Sequence, residues 1–240
     1  MQQPHILLSS DQVSELVVLC GEPARVDRIS AHLENATLLA DNREFRSMSG
    51  SFAGKTITVC STGIGAPSAI IALEELRQCG ATQFIRIGSA GALQPKIALG
   101  ELILVDGAVR DDGGSSSHAP LAYPAIADRH LTCAMETYLT EHNVTFHSGI
   151  VRSHDSFYRD DEMEVCKRWH HMGVLGADME TAALMTLGRI KGLKVGAVLN
   201  NVVLYGNDVQ EGINDYVCSD DALMRGEKMA IRCALHGLTS

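Results

Sequence analysis

The sequence predicts an α/β fold: one domain over residues 1–240, three-layer α/β/α, with a central mixed, largely parallel β-sheet flanked by helices. Three observations carry this reading. The apolar runs Glu15–Cys20, Thr56–Cys60 and Phe84–Ile87 each end in a glycine turn. Helix-period patterns follow or separate such runs along the chain. The 240 residues, 45% hydrophobic and 20% charged, are enough for one large core, and no linker interrupts them, since the longest polar stretch is the seven-residue Asp111–Ser117.

Taken in order, Glu15–Cys20 is a short buried strand that stops at Gly21-Glu22-Pro23, after which Val26, Ile29 and Leu33 fall on a helical period. The β-branched run Thr56–Cys60 leads into the glycine-rich turn Ser61–Pro67, and Ile70–Leu76 continues as an amphipathic helix. A third strand, Phe84–Ile87, ends at Gly88-Ser89-Ala90-Gly91. Leu102–Val105, Thr145–Val151 and Lys194–Val203 read as further strands, with helical patterns over roughly 125–141, 178–190 and 220–236. In such a sheet ligands gather at the carboxyl ends of the strands, where the glycine turns lie.

Charge and cysteine usage narrow the function. A net charge of −9 offers no cationic field for a nucleic-acid backbone, which favours small-molecule partners. The seven cysteines, with no C-x-x-C pair, argue for reduced and mostly buried thiols rather than a disulfide framework or zinc ribbon. No leader pattern opens the sequence and no apolar stretch approaches ~20 residues, so a cytoplasmic location away from the membrane is expected.

Gly21-Glu22-Pro23-Ala24-Arg25 brings a backbone able to approach a ligand, a helix start and an arginine in the first turn. It suits an anion, although a turn with a surface arginine has the same sequence. Arg86 interrupts a buried strand, and a charge there needs either a structural acid or a ligand. Arg25 and Arg86, with the Ser89 hydroxyl and the amides of Gly21 and Gly88–Gly91, can converge on a tetrahedral oxyanion; Arg43 is a third candidate. The turn Gly63-Ile64-Gly65-Ala66-Pro67-Ser68 fails as a dinucleotide fingerprint, because Ser68 stands where the third glycine is needed. Asp178 and Glu180 open an almost wholly apolar helix, where one can cap and the other needs a donor such as a sugar hydroxyl or a structural Ser or Lys. Phe157 suits stacking on a planar base, or a place in the core. None of the ten histidines has metal-ligand spacing.

The ordered motifs GEPAR, NREF, CSTGIGAPS, RIGSAGALQP, VRDDGGSSSHAPLAYPAIAD and ADMETAALM resemble the nucleoside phosphorylase I family, in particular its bacterial uridine phosphorylase branch, from about residue 5 to 236. The resemblance implies a phosphate site of Gly21, Arg25, Arg86 and Ser89, with Arg43 from the adjoining subunit. Met179 and Glu180 would hold the ribose, together with His5 of that neighbour. Ala90, Gly91, Phe157, Asp161, Val202 and Val203 would surround the base. It implies reversible phosphorolysis of a pyrimidine nucleoside, with Arg25, Arg86 and Glu180 as the catalytic groups, inorganic phosphate as co-substrate, and no other cofactor or required metal. A homo-oligomer with shared sites, a hexamer built as a trimer of dimers, is implied as well, with a monovalent cation such as K+ at Glu44, Ile64 and Ser68.

The base-reading segment departs from that branch. Its members carry a glutamine and an arginine two residues apart after the Phe-Tyr, whereas Asp161 and Met163 stand here. An ionised aspartate only accepts hydrogen bonds and repels a leaving anion. Arg159 or Arg168 is then a replacement donor. A purine nucleoside phosphorylase using Asp161 or Asp208 as its acid is one alternative, and a nucleoside-binding homologue without turnover is another. Asp178 also replaces the glutamate usual in the ribose motif.

Overall fold

The structure is a computed structural model that describes residues 2–206 and 221–240. Its strands are β1 (Leu16–Cys20), β2 (Glu34–Asn42), β3 (Phe45–Phe52), β4 (Lys55–Ser61), β5 (Gln83–Ala92), β6 (Leu102–Asp111), β7 (Ala125–Ile126), β8 (Phe146–His154), β9 (Gly176–Asp178) and β10 (Lys194–Val203). The helices are α1 (Pro23–Ser30), α2 (Ala66–Gln78), α3 (Gly113–Ser116), α4 (Arg129–Glu141), α5 (Glu162–His171), α6 (Thr181–Ile190) and α7 (Asp221–Thr239).

Strand β1 explains the layering. All five of its residues are buried, with Val17 and Leu19 facing one apolar cluster and Leu16, Val18 and Cys20 the other. A strand covered on both sides reads as a continuous apolar run, not an alternating one. Ala69, Leu73 and Leu76 of α2 and Ala182, Leu184 and Met185 of α6 cover the first face. Val26 and Ile29 of α1, Leu131 and Met135 of α4, and Ala230, Ile231 and Ala234 of α7 cover the second.

The sheet is mixed. Parallel pairings join β4 to β1, β1 to β5, β5 to β10, β6 to β8 and β8 to β9, while β10–β6, β5–β9, β6–β7 and the meander β2–β3–β4 are antiparallel. The order β10-β6-β8-β9-β5, with β5 also paired to β10, closes five strands into a barrel-like ring from which β1, β4, β3 and β2 extend. Together with the flanking helices this is the single α/β domain expected.

Several boundaries moved for local reasons. The 125–141 pattern splits because Ala125–Ile126 pairs with β6 and the Asp128 side chain then accepts hydrogen bonds from His130 N and Leu131 N, starting α4 afresh. The 178–190 pattern begins as strand, and α6 starts only at Thr181. The hairpin β2–β3 and helix α5 carry little apolar periodicity: β2 is mostly exposed, and Val165 is the buried residue of α5. Of the cysteines, Cys20, Cys60, Cys79 and Cys233 are buried and Cys133 is exposed, while Cys166 is intermediate and all six are free; Cys218 lies outside the described residues. No described helix is long and apolar enough to cross a membrane.

Candidate active site

The site grows out of the way β5 changes partners. One edge of β5 pairs with β10 along residues 83–91. The other pairs with β1 only as far as Ile87, opposite Cys20, and is taken up again by β9 at Gly91 and Ala92. Between them Gly88, Ser89 and Ala90 face a gap, the kind of switch point at which open α/β sheets bind ligands. A cavity of about 1020 Å³ opens there, lined by Gly21, Arg25, Arg86, Ser89, Ala90, Gly91, His154, Phe157, Asp178, Met179, Glu180, Val202 and Val203, among others.

Two arginines form its buried polar wall. Pro23 at the start of α1 fixes the first turn, and Arg25 reaches back to β5, where Nη2 donates to Ser89 Oγ at 2.9 Å and Nη1 to Ile87 O at 3.4 Å. Its Nε donates to Glu227 Oε2 of α7 at 2.8 Å. Arg86 is 3% exposed and donates from Nε to Asp178 Oδ2 at 3.1 Å and from Nη2 to Glu180 Oε2 at 2.5 Å. Its Nη1 is buried with no partner among the described residues. The guanidinium folds back over Gly88, where a Cβ would lie 2.7 Å from Arg86 Nη2. A side chain at 88 would therefore press on the guanidinium.

The carboxylates divide their work. Asp178 Oδ2 accepts from Thr181 N at 3.1 Å and Thr181 Oγ1 at 2.5 Å, satisfying the first amide of α6, and its Oδ1 accepts from Ser153 Oγ at 2.5 Å. Glu180 Oε1 accepts from Gly65 N at 2.6 Å, which ties the glycine-rich turn to the ribose motif of the sequence. Burial pushes the Glu180 carboxyl above the usual carboxylate range, and Asp178 adds to this, while Arg86 and the Gly65 amide oppose it.

The remaining candidates distribute as follows. Phe157 lines the cavity and meets Tyr158 edge to face, with ring centroids 4.9 Å apart. Asp161 is exposed and is not among the lining residues; Arg159 donates to it from Nε at 2.9 Å and Nη2 at 2.7 Å, and this arginine holds its carboxyl below the usual range. Met163, beside it in sequence, does line the cavity. Arg43 sits exposed on the β2–β3 turn with φ 56°, and neither it nor His5 lines the cavity of its own chain. His5 Nδ1 lies 2.5 Å from Glu75 Oε1. Glu44 Oε1 accepts from Ser68 Oγ at 2.8 Å, and Ile64 nearby in sequence is exposed. Asp208 lies outside the described residues. Among the described residues no group of three or more His, Cys, Asp or Glu side chains has an arrangement that could hold a metal ion.

Three residues near the site escaped sequence reading. Arg152 is fully buried in β8, donating from Nε to Asp111 Oδ2 at 2.8 Å and from Nη1 to Glu162 Oε1 at 3.1 Å. Its signal, a charge inside an apolar strand, is the one that exposed Arg86. Glu227 is 2% exposed and clasps Arg25 and Arg28, but on an amphipathic helix nothing marks it as buried. His154, at the end of β8, is a lining residue that lone-histidine statistics conceal.

Comparison with known proteins identifies the family. Residues 15–200 match the family model described as the phosphorylase superfamily. A guanosine phosphorylase of Halorubrum lacusprofundi is 35% identical over 100% of this chain and 99% of its own length. The uridine phosphorylase of Escherichia coli is 38% identical over 80% of this chain and 81% of its own. The crystal structure of uridine phosphorylase from Vibrio fischeri superposes with a TM-score of 0.93 at 52% identity, covering 99% of this chain and 97% of that one. On sequence and on fold, this chain belongs to the phosphorylase superfamily, among the uridine phosphorylase-like nucleoside phosphorylases.

Proposed function

We propose that the protein cleaves a pyrimidine nucleoside by phosphorolysis, converting uridine and phosphate to uracil and ribose 1-phosphate. The observation that carries this is the presence of Arg25, Arg86 and Ser89 in the lining of one cavity, with Arg86 Nη1 buried and unpaired among the described residues. A buried donor of that kind calls for an acceptor, and a phosphate dianion supplies three. In this reading Gly21, Arg25, Arg86 and Ser89 orient the phosphate, and Met179 and Glu180 take the ribose hydroxyls. A phosphate oxygen attacks C1′, the C1′–N bond breaks, and the base leaves with the electron pair. The bound dianion stabilises the positive charge that develops on the ribose.

Exposed Arg43 and half-buried His5, neither of which lines its own chain's cavity, fit service in a neighbouring subunit's site, within the hexamer of shared sites that the family resemblance implies. Glu44 and Ser68 are adjacent, as the proposed monovalent cation site with Ile64 requires. A cytoplasmic setting and a phosphorylase domain running the full 1–240 complete the proposal. Purine phosphorolysis is the second reading, favoured by the end-to-end match to a guanosine phosphorylase. Incubation with uridine and with guanosine, with and without phosphate, tests both. Phosphate-dependent release of base with an equal yield of pentose 1-phosphate is expected, and release without phosphate would refute phosphorolysis.

A further inference from the structure

Of the two residues at the position where the related branch reads its base, only Met163 lines the cavity. Asp161 is taken by Arg159 outside the cavity, and Met163 offers no strong donor or acceptor. Of the nearby polar lining groups, Glu162 accepts from Arg152 through Oε1 and faces Arg159 Nε at 3.9 Å through Oε2, and Lys167 is exposed. His154 differs from both. It closes β8 and lines the same cavity as Phe157, Val202 and Val203, and it is 8% exposed. Its Nδ1 lies 2.9 Å from the Ser156 carbonyl oxygen, an atom that can only accept, so Nδ1 carries the ring proton. Nε2 has no hydrogen-bond partner among the described residues and, in the neutral ring, is a bare acceptor. Burial, seconded by the Arg152 charge, holds the ring below the usual histidine range and so keeps it neutral at pH 7.

We propose that His154 Nε2 accepts the ring N–H of the base, so that the site selects bases carrying a lactam N–H beside a carbonyl and rejects amino bases. This rests on the cavity being a nucleoside site. Uracil presents such a donor at N3 and guanine at N1. Cytosine and adenine have a lone pair at the equivalent atoms, which would face the lone pair of Nε2. Uracil and guanine, the bases of the nucleosides for which two relatives are named, share this N–H beside a carbonyl.

The test compares wild type, His154→Ala and His154→Gln with uridine, N3-methyluridine and cytidine. Both binding without phosphate, where phosphorolysis cannot proceed, and kcat/KM with saturating phosphate are measured. Wild type is expected to prefer uridine to both analogues, and His154→Ala to narrow that preference about tenfold or more, at an unchanged phosphate KM. His154→Gln, whose amide oxygen also accepts an N–H, restores part of it. A preference that His154→Ala leaves within about twofold of wild type, or equal wild-type binding of uridine and N3-methyluridine, overturns the proposal. Selective uridine binding without turnover would instead refute the reaction and leave the role of His154 standing.

Discussion

Replacing Gly88 by alanine probes the arginine wall without touching a charged residue. The new Cβ would stand 2.7 Å from Arg86 Nη2 and from Leu199 Cδ2, and 2.9 Å from Arg86 Cζ, whereas ordinary contact begins at 3.4 Å. Both the guanidinium and the Leu199 methyl must therefore give by up to about 0.7 Å. Movement of the guanidinium stretches the bonds of Arg86 to Asp178, Thr181 and Glu180, which now stand at 3.1, 3.3 and 2.5 Å. Overpacking of this kind costs about 1–3 kcal/mol of stability. Misplacing one charge-assisted donor costs a bound anion about 1.5–3 kcal/mol, which corresponds to a phosphate KM raised about tenfold to a hundredfold. Initial rates against phosphate concentration, with circular dichroism to confirm the fold, provide the assay. A folded Gly88→Ala protein whose phosphate KM stays within about twofold of wild type would show that Arg86 does not hold phosphate.

Other perturbations separate structure from chemistry. Glu227→Ala strips buried Arg25 of a carboxylate 2.8 Å away and is expected to lower the urea-unfolding free energy by about 3 kcal/mol; a loss below about 1 kcal/mol would contradict the clasp. Asp161→Ala removes one half of an exposed ion pair, so kcat/KM for uridine should stay within about twofold of wild type, and a collapse of activity would restore Asp161 to the base site. His236, stacked on Tyr138 with ring centroids 4.4 Å apart, has its pKa lowered by burial and then by His142 and Arg232. The unfolded chain thus binds this proton more readily, so the contribution of His236 to stability is full above about pH 6.5 and is lost as pH falls toward the folded pKa. Chemical denaturation from pH 8 to 5 should show a shallower decline for His236→Phe, and an identical slope would sink the assignment.

What could be read from the sequence was what the chain encodes locally. β1 and β4 announced themselves as apolar runs closed by glycine, and Arg86 by the cost of a charge in a buried strand, whereas β5 runs on through its expected glycine turn to Ala92 because β10 stays paired with it to Gly91. Asp178 and Glu180 were legible because carboxylates before an apolar helix need partners. The closure of β5, β10, β6, β8 and β9 into a ring was not legible, since it depends on β5 exchanging β1 for β9 at Gly88–Ala90, a matter of long-range register. Glu227 was hidden because its partner Arg25 lies 202 positions away. Asp161 was placed near the base by counting residues from Phe157, and a count cannot show that Arg159, two positions before it, turns the carboxylate aside.

Calorimetric titration of inorganic phosphate into the wild type, Arg25→Ala and Arg86→Ala tests most directly whether two arginines from different strand ends clasp a single anion. Wild type is expected to take up one phosphate per site, and each substitution to weaken it by about tenfold or more. Undiminished phosphate binding by the Arg86→Ala protein would contradict the account at its base.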